Sequence, residues 1–153
     1  MTTRARNPVV AGARWLARCA TSEESVRNAW QSGDFAVIPS GALWLVAEAP
    51  LTRTVDAMQL LPADSLGPVL AHPLGSVAWW LVPLDSAVEL QHVQQLMVYP
   101  SGWPLCCPPI NRPAAGRVWL EKPDGSGRLS DPAALGAAFD PGGYLQLPAE
   151  AFC

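Results

Sequence analysis

The stretch Phe35–Pro50, FAVIPSGALWLVAEAP, decides the fold. It contains two short apolar runs, Phe35–Pro39 and Ala42–Ala47, and the turn-forming pair Ser40-Gly41 separates them. Apolar runs of this length that flank a short turn are typical of a β-hairpin. The pattern therefore predicts a central hairpin around which the other elements are arranged.

The composition of the chain indicates one folded domain. Of the 153 residues, 50% are apolar and only 15% are charged, a balance that favours a packed core over disorder. A chain of this length buries roughly two-thirds of the surface that it exposes when unfolded. The net charge of −3 gives no overall attraction to a phosphate backbone, so nucleic-acid binding would need a local basic patch.

The cysteines and the N-terminal residues indicate where the protein works. The four cysteines form no CxxC pair, which argues against a structural zinc site. Arg14 and Arg18 interrupt the apolar segment that a signal peptide would need, and no apolar run is long enough for a membrane span. We therefore expect a cytoplasmic protein with reduced thiols and with no metal, cofactor or membrane partner.

Four helices are predicted. A capping box, in which the Thr21 hydroxyl and the Glu24 carboxylate each accept an amide at a helix start, marks the second helix. Apolar residues at helical spacing mark the first and third, and a proline in the favoured first position marks the fourth. The predicted helices are 8–20, Ser22–Gln31, Leu51–Leu61 and Pro132–Phe139, the last capped by Ser130 or Asp131 and ended by Asp140-Pro141-Gly142-Gly143.

Short apolar runs bounded by turn residues predict further strands. These are Val69–Ala71, Val77–Val82, Leu96–Tyr99, Pro104–Cys107 and Arg117–Glu121, with Tyr144–Leu147 as a candidate last strand. The pattern at Ser86–Gln95 fits either a short helix or a loop. Adjacent Trp79 and Trp80 must face opposite sides of a strand, so a helix or a partner should cover the outer side. The result is a single α+β domain over residues 1–153, with a central mixed or antiparallel sheet and flanking helices.

Over residues 14–121, the order of the elements resembles the N-terminal primase-polymerase domain of the archaeo-eukaryotic primase superfamily, in its bifunctional DNA primase/polymerase branch. An early helix, a helical tryptophan, a strand ending in glycine and a later run of two prolines follow one another as in that family. The matching segments are Ser22–Trp30, Phe35–Gly41, Leu43–Ala49, Gly75–Leu81 and Leu105–Pro109, followed by Trp119. Residues 122–153 would then add a C-terminal helix and tail.

The resemblance implies a catalytic site whose residues are missing. In the family, the strand similar to Leu43–Ala49 presents two aspartates at alternate positions, which share divalent metals, and a later strand carries a catalytic histidine. The matching positions here are Ala47, Ala49 and Ala78. Glu48 lies between two of them, but strand alternation sends its side chain to the opposite face. The resemblance therefore implies the fold without nucleotidyl transfer and without a bound metal.

Two functions follow from this reading. The first is a non-catalytic binding or regulatory module, whose partner is a protein, a second copy of the chain or, less favoured, nucleic acid. The alternative is a residual nucleotide-binding enzyme or nucleotidyltransferase of the primase-polymerase type. Arginines that pair with phosphates and tryptophans that stack on bases would form a nucleic-acid site. The candidates are Arg53, Arg112, Arg117, Trp80 and Trp103, with Trp44 and Trp79 as further stacking residues.

Other chemistry-bearing residues give weaker hypotheses. His72 and His92 could share a metal or form an acid/base pair, but isolated surface histidines explain them more simply. A nucleophilic Cys106 or Cys107 would need a nearby histidine and a cationic neighbour, and the sequence shows neither. The chain contains no P-loop, dinucleotide-binding or nucleophile-elbow motif.

Overall fold

Two antiparallel sheets form the framework of residues 7–145, the part of the chain that the computed structural model describes. The larger sheet has five strands in the order β5-β2-β4-β3-β7, and the smaller sheet pairs β1 with β6. The strands are β1 (Ala36–Pro39), β2 (Leu45–Pro50), β3 (Val69–His72), β4 (Val77–Val82), β5 (Met97–Tyr99), β6 (Pro104–Cys107) and β7 (Val118–Glu121).

Five helices of the described residues flank these sheets. They are α1 (Pro8–Ala17), α2 (Glu23–Gln31), α3 (Leu51–Leu60), α4 (Ser86–Leu90) and α5 (Pro132–Leu145). Helices α1 and α2 share one apolar core with the smaller sheet, whereas α3, α4 and α5 share another core on the other side of the larger sheet. The prediction of a single α+β domain with an antiparallel sheet is confirmed. None of the described helices has the length and apolarity needed to cross a membrane.

Each face of the larger sheet contributes to a different core, because side chains alternate along its strands. Trp79 enters the first core, with α1, α2 and the smaller sheet. Its neighbour Trp80 enters the second core, with α3, α4 and α5. The exposed fractions of the two side chains are 5% and 0%, so helices and loops of the chain itself cover both tryptophans.

The predicted hairpin of Phe35–Pro39 and Ala42–Ala47 is wrong. β1 pairs with β6, while β2 begins three residues later than expected and lies between β4 and β5. Burial explains the exchange, since β2 is buried for most of its length and the buried strand β4 pairs with all six of its residues. β4 has the same six-residue length, and the loop between β1 and β2 places Trp44 in the first core.

Several element boundaries also differ from the predictions. The first helix ends at Ala17 rather than at residue 20, and Ser86–Gln95 forms the short helix α4 followed by a turn. Asp131 caps α5, since its carboxylate accepts the amide of Ala134 at 2.9 Å. α5 continues through Asp140–Gly143 to Leu145, because proline and glycine weaken a helix without forbidding helical dihedral angles. The first half of the predicted strand Tyr144–Leu147 is therefore helical, and residues 146–147 lie outside the described residues.

Ser22, rather than Thr21, caps the start of α2. The Ser22 hydroxyl accepts the amide of Ser25 at 3.2 Å, and α2 begins at Glu23. We expect Ser22→Ala to lower the free energy of unfolding by about 1 kcal/mol, because an amide at the helix start loses its acceptor. The melting temperature should fall by about 2–4 °C. Thr21→Ala is the matched control, and its melting temperature should stay within about 1 °C of the wild-type value. An equal effect of both substitutions would contradict the assignment of Ser22 as the cap.

Candidate functional site

The three positions that match the family's catalytic residues lie side by side on one face of the larger sheet. Ala47 and Ala49 of β2 point into the second core together with Ala78 of β4. Ala49 and Ala78 are direct partners across the two strands. The exposed fractions of the three residues are 0%, 3% and 0%, respectively. Helices α3, α4 and α5 therefore fill the face on which a metal and a triphosphate would have to bind.

Trp80 lies on this filled face, so its side chain is not accessible to nucleic acid. Its indole Nε1–H donates to the Thr54 hydroxyl at 3.1 Å, and its ring meets Phe139 edge to face at 6.0 Å between centroids. Base stacking requires an accessible ring face, and Trp80 is completely buried. Trp44 is buried as well, with an exposed fraction of 1%.

Two of the predicted arginines hold the fold together. The Arg53 guanidinium donates to the Gln95 side chain at 2.6 Å and to the Phe139 carbonyl at 3.0 Å, which ties α3 to α5. The Arg112 guanidinium donates to the Trp30 carbonyl at 2.6 Å, near the end of α2. A guanidinium engaged with protein carbonyls has fewer donors for phosphate. The Arg53 guanidinium also lies 5.8 Å from the centre of the Phe139 ring, which the buried Trp80 meets edge to face, so these two candidates meet inside the protein.

Arg117 and Trp103 both lie against Trp79, on the opposite face of the sheet. The Arg117 guanidinium lies 4.6 Å from the centre of the Trp79 ring, and the centres of the Trp79 and Trp103 rings are 6.4 Å apart. Trp103 stacks on Tyr99, with the ring centres at 4.3 Å and an interplanar angle of 9°. We call Glu48, Trp79, Tyr99, Trp103 and Arg117 the Glu48 surface.

Glu48 joins the aromatic rings of this surface. Its Oε1 atom accepts two hydrogen bonds, one from the Trp79 indole at 2.9 Å and one from the Tyr99 hydroxyl at 3.0 Å. The side chain projects away from Ala47 and Ala49, as strand alternation predicts. Both donors are neutral, and among the described residues no arginine, lysine or histidine lies within ion-pair distance of the carboxylate. The negative charge is therefore oriented but has no cationic partner within that part of the chain.

No protein-family model, curated protein or solved structure matches this chain. The resemblance to primase-polymerase domains therefore stays a prediction that rests on the order of the segments named above. The geometry of the Glu48 surface does not depend on it. The half-buried rings of Tyr99 and Trp103, the oriented carboxylate and Arg117, whose guanidinium has no hydrogen-bond acceptor among the described residues, form a surface that can bind a ligand, whatever the origin of the fold.

The Glu48 carboxylate changes the acidity of its neighbour Tyr99. Burial raises the pKa of the Tyr99 hydroxyl above its usual value, and the hydrogen bond to Glu48 and the negative charge of Glu48 raise it further. A raised pKa means that the folded protein holds the phenolic proton more tightly than the unfolded chain. The stabilisation is therefore complete below the unfolded pKa and is lost as the pH rises through the folded pKa.

We expect Glu48→Gln to lower the pKa of Tyr99, because the substitution removes the negative charge and leaves an amide oxygen as acceptor. The ultraviolet absorbance of tyrosinate, followed between pH 8 and 12, measures the change, and Tyr99→Phe identifies the contribution of this residue. The alkaline loss of stability that is linked to Tyr99 should also be smaller, and be complete at lower pH, in Glu48→Gln. An unchanged Tyr99 titration would contradict the hydrogen bond between Tyr99 and Glu48.

The thiols and histidines do not form a second centre in the described part of the chain. Burial raises the pKa of Cys107 well above its ordinary value, and burial likewise raises the pKa of Cys19, so neither is activated as a thiolate. His72 lies at the end of β3 with Nδ1 at 3.2 Å from the Gly116 carbonyl, whereas His92 is exposed after α4. Residues 7–145 contain no group of three or more potential metal ligands.

Sequence reasoning missed Tyr99 and the role of Glu48 at this surface. A usable signal was present in Met97-Val98-Tyr99, since alternation places Met97 and Tyr99 on one face. β5 pairs with β2 so that Met97 lies opposite Glu48. The contact between these strands joins residues almost fifty positions apart, which local pattern does not encode.

Proposed function

We propose that this chain is a non-catalytic binding module that holds a protein partner on the Glu48 surface. The observation that carries the proposal is the contrast between the two faces of the larger sheet. The face that bears Ala47, Ala49 and Ala78 is filled by helices. The opposite face is covered in part by the first core, and beside that core the half-buried side chains of Glu48, Tyr99, Trp103 and Arg117 reach the surface. In this proposal the fold is a cytoplasmic relative of primase-polymerase domains that has exchanged catalysis for binding.

The composition of the Glu48 surface supports a protein partner. Tryptophan, tyrosine, arginine and methionine are enriched in protein interfaces, and the first three dominate their energetics. Trp103, Tyr99 and Arg117 supply these types, and the adjacent Met97 side chain is 57% exposed. The rings are already packed on one another, so a partner would meet a largely ordered surface and would lose little side-chain entropy on binding.

A nucleotide-incorporation assay separates this proposal from the alternative enzyme. The purified protein is incubated with primed and unprimed DNA, nucleoside triphosphates and either Mg²⁺ or Mn²⁺. We expect no incorporation above the level of a reaction without protein, because the face that bears Ala47, Ala49 and Ala78 has no room for a metal-bound triphosphate. Incorporation by the wild-type protein that Glu48→Ala abolishes would support the residual nucleotidyltransferase instead.

A comparison of surface variants tests the binding. Cross-linking in cell extract should enrich a protein with the wild type and with Leu60→Ala, a control on α3 whose side chain is 65% exposed. Trp103→Ala should lose that protein. With the purified partner, we expect Trp103→Ala to weaken binding by about 30-fold, equivalent to about 2 kcal/mol. Equal binding by the two variants, or tight binding of single-stranded DNA at low salt, would overturn the proposal.

A further inference from the structure

We infer that the Glu48 surface recognises a basic side chain, arginine or lysine, of its protein partner. This inference rests on the proposed function and specifies the chemistry of the partner at one atom. Both protein donors to Glu48 use Oε1, and no hydrogen bond from the described residues reaches Oε2. Glu48 is half-buried, so the second carboxylate oxygen is an oriented acceptor at the edge of the aromatic cluster.

The negative charge of the Glu48 carboxylate favours a cationic group on the partner. A carboxylate satisfied by an indole and a phenol keeps its full negative charge, because neither donor carries a compensating positive charge. Hydrogen bonds between a carboxylate and a guanidinium or ammonium group are stronger than those between neutral groups. Arg117 does not fill this role, since its guanidinium lies over the Trp79 ring and forms no ion pair with Glu48. A cation from outside would therefore find an unused partner.

The surroundings of Oε2 fit the rest of a basic side chain. Three rings adjoin the carboxylate: Trp79 and Tyr99 donate to it directly, and Trp103 stacks on Tyr99. Trp79 and Tyr99 direct their N–H and O–H edges at the carboxylate, and Arg117 already lies over the Trp79 ring, so the partner's cation would be held by Oε2 rather than by a ring face. Met97, opposite Glu48 on β5, offers apolar surface for the methylene stem of lysine or arginine. The partner residue would thus have its charge on Glu48 and its stem on Met97.

A basic peptide fits this surface better than nucleic acid does. Phosphates would approach an uncompensated carboxylate in a chain whose net charge is −3. Of the arginines that could offset this repulsion, Arg53 and Arg112 are engaged with backbone carbonyls of their own protein. Arg117 alone of the predicted cations belongs to the surface.

Titration of the full chain with short peptides tests the inference. The probe is acetyl-Gly-Arg-Gly-amide, and the readout is the chemical shift of the Trp79 and Trp103 indole N–H groups. The matched peptide contains citrulline, which has the shape of arginine without its charge. We expect saturable shifts with arginine and binding about tenfold weaker with citrulline.

Two protein variants complete the test. Glu48→Gln keeps an oxygen acceptor for Trp79 and Tyr99 and should weaken arginine-peptide binding about tenfold, a change that citrulline does not show. Glu121→Gln removes a half-buried carboxylate on the edge strand β7 and should leave binding unchanged. Equal binding of arginine and citrulline, an effect of Glu121→Gln as large as that of Glu48→Gln, or displacement of the peptide by oligo(dT) would overturn the inference. If partner capture is lost in Trp103→Ala but retained in Glu48→Gln, the inference fails and the proposed function stands.

Discussion

Ala49→Asp should lower the free energy of unfolding by about 4 kcal/mol or more, enough to unfold much of a marginally stable domain. The introduced carboxylate would enter the second core, where Ala49 is 3% exposed and faces Ala78. The described side chains that form this core are mostly apolar, so they would not replace the water that the charge would lose. An aspartate at this position, where the resemblance would place one, would therefore damage the fold.

The pH dependence of the stability lost in Ala49→Asp shows whether the buried charge or the larger side-chain volume causes the loss. Burial would raise the pKa of the introduced carboxyl group, so the variant should regain stability relative to wild type as the pH falls through the raised pKa. Urea unfolding at pH 7 and at pH 4.5, with Ala49→Asn as a neutral control of similar size, measures the effect. Wild-type stability of Ala49→Asp at pH 7 would show that this face is open.

Gly12→Ala should lower the free energy of unfolding by about 3 kcal/mol, although alanine normally stabilises a helix relative to glycine. A Cβ atom at Gly12 would overlap the backbone carbonyl of Pro123, which packs against α1. Neither group can move away without shifting the helix or the turn after β7. Gly12 is therefore where α1 and that turn approach most closely.

A second helical glycine provides the control. At Gly136 of α5, a Cβ atom would lie 3.6 Å from a methyl group of Leu90 and 3.7 Å from one of Val93, which are ordinary contacts. Gly136→Ala should raise the free energy of unfolding by about 0.5–1 kcal/mol. Chemical denaturation of both variants gives the comparison. Effects of the same sign would contradict the packing of α1 against the turn after β7.

Local sequence patterns predicted the features that depend only on residues close together in the sequence. Strand alternation placed Glu48 opposite to Ala47 and Trp79 opposite to Trp80, since side-chain direction has a period of two in any strand. Helical spacing located α1, α2 and α3 to within a few residues. The capping residue of α2 was misplaced by one position, because Thr21 and Ser22 can both accept an amide and only the backbone geometry selects between them.

Which strands pair, and which elements cover each sheet face, depends on residues that are far apart in the sequence. Local sequence patterns do not determine these contacts. The apparent hairpin separated into two sheets because β2 finds its longest apolar partner in β4, more than thirty residues away. The sequence made Arg112 a candidate phosphate ligand. In the structure its guanidinium donates a hydrogen bond to the Trp30 carbonyl, 82 positions away. The Glu48 surface likewise joins β2, β4, the segment around β5 and Arg117 just before β7, so its five residues share no motif.

Cysteine labelling tests most directly the claim that helices fill the sheet face that bears Ala49, whereas the opposite face is accessible to solvent at the β5 edge. Met97→Cys places a thiol on the face of Glu48, and Ala49→Cys places one on the opposite face. Against the background of the four native thiols, we predict that the first variant gains one rapidly reacting thiol and that the second gains one only after unfolding in guanidinium. Rapid labelling of Ala49→Cys in the folded protein would contradict the account.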